Sequence, residues 1–131
     1  WIKYYRQDEN SPNAIVSYYA KGSLIALALD LTLRKATRGR HSLDDIMRAL
    51  WEEHGKTRRG VGETDVETLA ERVSGVPLKR FFDRMLRSTG DFQWTTLLHS
   101  FGVRVSMEAA RSAADRGGAE VIVVGVAGSP E

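Results

Sequence analysis

Two adjacent tyrosines are the residues of this 131-residue sequence whose chemistry stands out most. Tyr18 and Tyr19 are followed by Ala20, Lys21 and Gly22 at the beginning of a long apolar stretch. Neighbouring side chains of a helix point about 100° apart, so one phenol can pack in the core while the other faces a cleft. The missing side chain of Gly22 lets another backbone or a ligand come close. Buried tyrosines beside a small residue explain the same pattern without a ligand, so the residues alone leave both interpretations open.

Other catalytic patterns are missing from the sequence. A zinc hydrolase needs two imidazoles one helical turn apart and a carboxylate base, as in H-E-x-x-H, and this motif is absent. The histidines, His41, His54 and His99, are scattered, and surface or helix-cap roles are expected for them. The sequence also lacks a G-x-S-x-G nucleophile elbow and has no cysteine for a thiolate site. It therefore predicts no metal site within this chain.

The composition is that of one globular domain or of a piece cut from a larger protein. Hydrophobic residues make up 42% of the chain and charged residues 27%, which is enough for a buried core. The 19 basic and 17 acidic residues leave a net charge of only +2, so nucleic acid is not an expected partner. The longest unbroken apolar run, Leu24 to Leu29, is too short to span a membrane, and no signal peptide is expected. The compartment stays open between cytoplasm and periplasm.

The spacing of apolar residues predicts a mainly α-helical bundle. One helix is expected from about Ala14 to Ala36, covered on most sides, and others begin near Ser42, Thr64 and Pro77. A short helix is expected over "WTTLLHSFG". Glycines are the expected helix stops: Gly39, Gly55, Gly75 and Gly90.

Details within these helices can also be predicted. Ser42 and Asp45, and Thr64 and Glu67, have the spacing of capping boxes. Large apolar residues of the later helices are expected to face inward, and they include Met47, Trp51 and Leu86.

The pattern changes near the C-terminal end. From Val103 "VRVS" alternates, and "AEVIVVGVAGSPE" is β-branched and typical of a strand. Two short strands are marginal on their own, so the sequence is expected to be cut within a small β unit. An unpaired edge there would favour association into a homo-oligomer.

The motif Tyr19-Ala20-Lys21-Gly22 resembles the Y-x-K-G sequence that follows the zinc site of gluzincin aminopeptidases. The longer runs "YYRQDENSPNAIVSYYAKGSLIALALDLTLR", "SLDDIMRALW" and "GVPLKRFFDRMLRSTGDFQWTTLLHSFGV" are similar to the glycyl aminopeptidase family of zinc metallopeptidases, family sixty-one. The resemblance extends from about Trp1 to Val103, and several separate blocks agree in order.

This resemblance implies a domain organisation. The family has a thermolysin-like catalytic domain that carries H-E-x-x-H and a downstream glutamate ligand, followed by a PDZ-like domain. By resemblance, residues 1–102 form the helical C-terminal part of the catalytic domain and residues 103–131 begin a truncated PDZ-like domain. The chain then starts after the zinc ligands, so zinc is implied as a cofactor of the full-length enzyme but not of this fragment, which is expected to be inactive alone.

The resemblance also implies roles for single residues. Tyr19 matches the tyrosine whose hydroxyl stabilises the oxyanion of the tetrahedral intermediate, and its phenol is a neutral donor at pH 7. Lys21 and Gly22 are given support roles. The polar segment before the helix matches one that can line the cleft, so weak candidates for substrate binding are Arg6, Asp8, Glu9, Asn10 and Tyr18. The implied partners are a peptide substrate and the rest of the same catalytic domain.

Two other functions are compatible with parts of the sequence. A non-catalytic helical interaction module would use the tyrosines as core residues and pair its β segment with a partner strand. Nucleic-acid binding through the basic clusters 34–40 and 56–59 is the third and least favoured hypothesis.

Overall fold

The computed structural model describes residues 5–9, 11, 17–90 and 92–105. The chain divides into two compact units, Trp1–Ser88 and Thr89–Glu131. Over the described residues the elements are helical, which confirms the predicted mainly α fold: α1 Tyr18–Thr37, α2 Leu43–Leu50, a π-helical turn Trp51–Gly55, α3 Asp65–Ser74, α4 Lys79–Arg87 and α5 Trp94–His99. Most of the predicted β segment, residues 106–131, lies outside the described residues.

The long helix α1 ends where the sequence predicts. Gly39 donates its backbone N–H to the carbonyl of Arg34 at 2.7 Å, and both Arg38 and Gly39 have positive φ angles. This left-handed ending satisfies carbonyls that the last turn would otherwise leave without donors. The basic side chains of Arg34 and Lys35 lie in the last turn, where the helix dipole favours positive charge.

The core of the first unit is built from four helices. Its buried residues come from α1, α2 and α3 and from the start of α4: Leu29, Leu33, Ile46, Leu69, Ala70, Leu78 and Phe82. Three residues expected to face inward are exposed instead, since Met47 is 55%, Trp51 60% and Leu86 52% accessible. In each case the apolar residue that precedes it in the sequence is more buried. The prediction was wrong at these positions because the neighbouring helices cover a narrower face than the apolar pattern spans.

Asp30 connects α1 to α2. Its carboxylate accepts hydrogen bonds from Nε of Arg34 at 2.7 Å and from the backbone N–H of Leu43 at 2.9 Å. Burial raises the pKa of Asp30, but the hydrogen bonds from Arg34 and Leu43 outweigh it and hold this pKa below its usual value. The side chain therefore works as an ionised cap for the first turn of α2.

The helical segment that begins with α2 ends at Gly55, as expected, but its last turn is π-helical. The helix widens over Trp51–Gly55, and the backbone N–H of Lys56 donates to the carbonyl of Trp51 at 2.8 Å. The Trp51 ring lies against Gly55, where an added Cβ would come within 2.2 Å of the indole. The position therefore requires glycine, because any side chain there would overlap with the Trp51 ring.

The caps of α3 and α4 come partly from unexpected residues. The predicted capping box of Thr64 and Glu67 was wrong, because the Thr64 side chain makes no cap hydrogen bond and Glu67 pairs with Arg87 instead. At the start of α3, the carboxylate of Asp65 accepts the backbone N–H of Gly62 at 2.7 Å. At α4, Glu71 accepts the backbone N–H groups of Leu78 and Lys79 at 2.6 and 2.8 Å. Leu78 occupies the N-cap position of α4 and has no polar side chain for capping, so α3 supplies the acceptor.

Candidate functional site

The tyrosine pair lies in the first turn of α1. Ser17 is the N-cap residue, and its Oγ accepts the backbone N–H of Ala20 at 3.4 Å. Tyr18 is 40% and Tyr19 65% accessible. Within the described part of the chain neither phenol is buried, so the expectation that one of them packs in the core was wrong. The first turn leaves both rings accessible because the buried residues of α1 begin almost three turns later, at Ala28 and Leu29.

The two rings lie together rather than apart. Their centroids are 4.3 Å from each other, and the ring planes are tilted by 32°. Ideal helical geometry directs consecutive side chains about 100° apart, so this approach requires both side chains to turn toward each other. The pair therefore presents one continuous aromatic surface at the N-terminus of α1.

A third tyrosine joins this pair from a distant part of the sequence. The hydroxyl of Tyr5 lies 3.1 Å from the hydroxyl of Tyr18, and either of them can donate. Tyr5 is itself 59% accessible. Sequence reasoning did not single out Tyr5, and the only available signal was its place in the aromatic lead-in before the helix. We refer to Tyr5, Tyr18 and Tyr19 as the tyrosine cluster.

The cluster changes the acidity of Tyr19. Hydrogen bonding with the Tyr18 side chain, and then with that of Tyr5, lowers the pKa of the Tyr19 phenol below its usual value. Hydrogen bonds to an ionised or partly ionised oxygen favour that form. Tyr19 is consequently a stronger hydrogen-bond donor than an isolated tyrosine.

The polar segment before α1 is organised by a compact turn. The backbone N–H of Asp8 donates to Ser11 Oγ at 2.7 Å, and Ser11 Oγ donates to the Asp8 carboxylate at 2.9 Å. Ser11 is 4% accessible. Arg6, Asp8 and Glu9 are all exposed, and Asp8 is also engaged in the turn. The remaining weak candidate, Asn10, lies outside the described residues.

The two support residues of the motif lie on the exposed surface of α1. Lys21 and Gly22 are both exposed, and an added Cβ at Gly22 would meet no described atom within 4 Å. Leu24 and Leu27 on the same helix are 49% and 45% accessible. The described part of the chain therefore covers neither the motif nor these leucines.

A second polar site lies between the π-helical turn and α3. His54 is only 11% accessible, and its Nδ1 donates to the carbonyl of Gly60 at 3.0 Å, since a carbonyl can only accept. Its Nε2 is 4.0 Å from the Asp65 carboxylate, which is too long for a hydrogen bond. A surface or helix-cap role was expected for His54, and its imidazole holds the loop that follows Gly55. The adjoining cleft of about 160 Å³ is lined by charged residues that include Glu53 and Arg72, which pair with each other at 2.5 Å.

The described residues offer no metal centre of their own. Within 5–9, 11, 17–90 and 92–105, no three side chains of His, Cys, Asp or Glu come together in a group able to hold an ion. In the same ranges, no helix has the length and apolar character needed to cross a membrane.

The known proteins to which this chain is similar are aminopeptidases. Residues 1–25 match the family model of the M61 glycyl aminopeptidases. The match includes Tyr5, Tyr18, Tyr19 and the two support residues Lys21 and Gly22. The resemblance predicted from the sequence is thereby confirmed.

A solved structure extends the similarity well beyond these 25 residues. The aminopeptidase N family protein from Idiomarina loihiensis superposes with a TM-score of 0.79 and is 38% identical in sequence. The alignment covers 88% of this chain but 20% of that protein, so the chain spans about a fifth of the length of this relative. No curated protein matches the chain at a significant level.

Proposed function

We propose that this chain is part of a zinc-dependent aminopeptidase that prefers N-terminal glycine, and that Tyr19 supplies an oxyanion-stabilising hydrogen bond. The family match over residues 1–25 carries this proposal, because it covers the Y-x-K-G motif that begins with Tyr19. The 38% identity to an aminopeptidase N family protein supports the same reaction class.

The geometry of Tyr19 supports the role in a second way. An oxyanion donor must reach a substrate, and Tyr19 is 65% accessible at a helix start that the rest of the described chain leaves open. Its phenol is held against Tyr18, and its lowered pKa strengthens it as a donor. A donor fixed in place before charge develops stabilises that charge without further reorganisation.

The metal is proposed to belong to the rest of the protein. The described residues do not fit a zinc site, since they bring no set of metal ligands together. We infer that ligands elsewhere in the intact enzyme bind the ion and that this chain contributes the donor and a wall of the cleft. The exposed Leu24 and Leu27 suit a helix that packs against the rest of its own catalytic domain. Alone, the chain is expected to show no peptidase activity.

The test is Tyr19→Phe in the intact enzyme that contains this chain. Removal of one oxyanion donor typically lowers kcat by about 10² to 10³, so we expect a decrease of at least tenfold with KM little changed. Thermal stability and zinc content should equal those of the unchanged enzyme, because the removed hydroxyl belongs to an exposed side chain. An unchanged kcat would rule out the role. A comparison of glycyl and alanyl aminoacyl substrates tests the glycine preference separately.

A further inference from the structure

The contacts of the tyrosine cluster are unusual for exposed residues. Tyr18 and Tyr19 are consecutive in a helix, yet their ring centroids are 4.3 Å apart. Tyr5 lies 13 positions before Tyr18, and their hydroxyl oxygens are 3.1 Å apart. Exposed aromatic side chains gain little from burial, so their order must come from contacts with each other.

We propose that Tyr5 and Tyr18 are positioning residues for Tyr19, so that the three phenols act as one hydrogen-bonded donor unit for the negatively charged oxygen of the intermediate. This inference rests on the proposed function of Tyr19. The inference extends that function to a residue outside the Y-x-K-G motif, Tyr5.

The first contribution of Tyr5 is mechanical. The hydroxyl of Tyr5 is hydrogen-bonded to the hydroxyl of Tyr18, and the Tyr18 ring lies against the Tyr19 ring. A hydrogen bond at the tip of the Tyr18 ring limits its rotation, and the ring then limits the positions open to Tyr19. An oriented donor loses less entropy in the transition state than a free one, which is how positioning contributes to rate.

The second contribution is the anchoring of Tyr5. Three residues after Tyr5, the turn from Asp8 to Ser11 closes with the backbone N–H of Ser11 on the Asp8 carbonyl at 3.1 Å, in addition to the two side-chain hydrogen bonds. Ser11 is 4% accessible. The segment that carries Tyr5 is therefore followed by a hydrogen-bonded turn that ends at the buried Ser11, and its hydroxyl lies 3.1 Å from that of Tyr18 at the start of α1.

The third contribution is electrostatic. When Tyr19 donates to an oxyanion, negative charge grows on its own phenolic oxygen. The hydroxyls of Tyr18 and Tyr5 stabilise such charge, in agreement with their lowering of the Tyr19 pKa. Hydrogen bonds in a chain strengthen one another, so Tyr5 acts on Tyr19 through Tyr18 as well as by its own hydrogen bonding.

The experiment compares Tyr5→Phe, Tyr5→Leu and Tyr19→Phe in the intact enzyme, together with the double variant Tyr5→Phe/Tyr19→Phe. Loss of a neutral hydrogen bond corresponds to about a two- to tenfold effect, so Tyr5→Phe should lower kcat by that factor and leave KM unchanged. Phe keeps the ring, so a purely structural role of Tyr5 would leave Tyr5→Phe fully active and impair only Tyr5→Leu. In the Tyr19→Phe background, Tyr5→Phe should have no further effect.

A second measurement is independent of activity. Tyrosine labelled with ¹³C at Cζ reports the ionisation of each phenol, and the Tyr19 signal is the one that Tyr19→Phe removes. Tyr5→Phe should raise the pKa of Tyr19 toward about 10, its value in model peptides. The proposal is overturned if Tyr5→Phe leaves both kcat and the Tyr19 titration unchanged, or if it lowers kcat equally without Tyr19. If Tyr19→Phe retains full kcat, the proposed function fails, and a shifted Tyr19 titration in Tyr5→Phe would still establish the coupled phenols.

Discussion

The cap that α3 provides for α4 gives the sharpest stability prediction. Both N–H groups at the start of α4 donate to one carboxylate oxygen of Glu71, at 2.6 Å from Leu78 and 2.8 Å from Lys79. Glu71→Ala removes this acceptor while leaving the residues of α4 unchanged. Because the Leu78 side chain has no acceptor to replace the carboxylate, the two N–H groups would be left to hydrogen-bond with water.

The size of the effect follows from the two donors and the charge. Loss of an N-cap acceptor typically costs about 1 kcal/mol, and a negative charge at a helix N-terminus is worth roughly 0.3 to 1 kcal/mol. With two N–H groups bonded to a half-buried Glu71, we expect Glu71→Ala to lower the free energy of unfolding by about 2 kcal/mol. Glu71→Gln keeps an acceptor oxygen but not the charge, so it should lose about half as much.

Urea denaturation followed by far-ultraviolet circular dichroism measures this difference. Glu63→Ala is the matched control, because Glu63 is exposed in the turn before α3, and it should change stability by less than about 0.5 kcal/mol. If Glu71→Ala were no less stable than Glu63→Ala, the capping argument would be refuted. Equal losses in Glu71→Ala and Glu71→Gln would show that charge, rather than the acceptor, makes the contribution.

Two further outcomes follow from the fold. Gly55→Ala should displace the Trp51 ring, since the new Cβ would come within 2.2 Å of it. We expect a red-shifted emission that disappears in a Trp51→Phe background, and unchanged emission would contradict the packing. Asp30 has a lowered pKa in the folded chain, so its contribution is fully present above the unfolded pKa of about 3.9 and is lost as pH falls through the folded pKa. The stability difference between the unchanged chain and Asp30→Asn should therefore shrink in that acid range, and a constant difference would refute the linkage.

Local sequence signals were sufficient for the helices themselves. Helices α1 to α5 were predicted in order, because apolar spacing, glycine stops and N-cap residues act over one or two turns. The motif beginning at Tyr19 and the resemblance it carries could also be read from the residues alone. The order of these elements confirms the mainly helical part of the fold, whereas the proposed boundary at residue 102 and the role of Tyr19 stay predictions.

The choice of buried face was not available from the sequence. Ile46 is fully buried and its neighbour Met47 is 55% accessible, although both fit the apolar pattern of α2. Leu86 and Trp51 are exposed in the same way. Burial depends on which helix covers a given side, and that is a property of the packed chain.

The sequence by itself determined the order of the helices and which residue could act as a phenolic donor, because both depend on residue type and near neighbours. Only the tertiary structure decided what holds those residues in place. Tyr5 meets Tyr18, His54 meets Gly60 and Glu71 meets the start of α4 across 13, 6 and 7 positions. The physical reason is that such contacts form only after loops and turns have closed, and no local pattern specifies which distant groups the closure brings together.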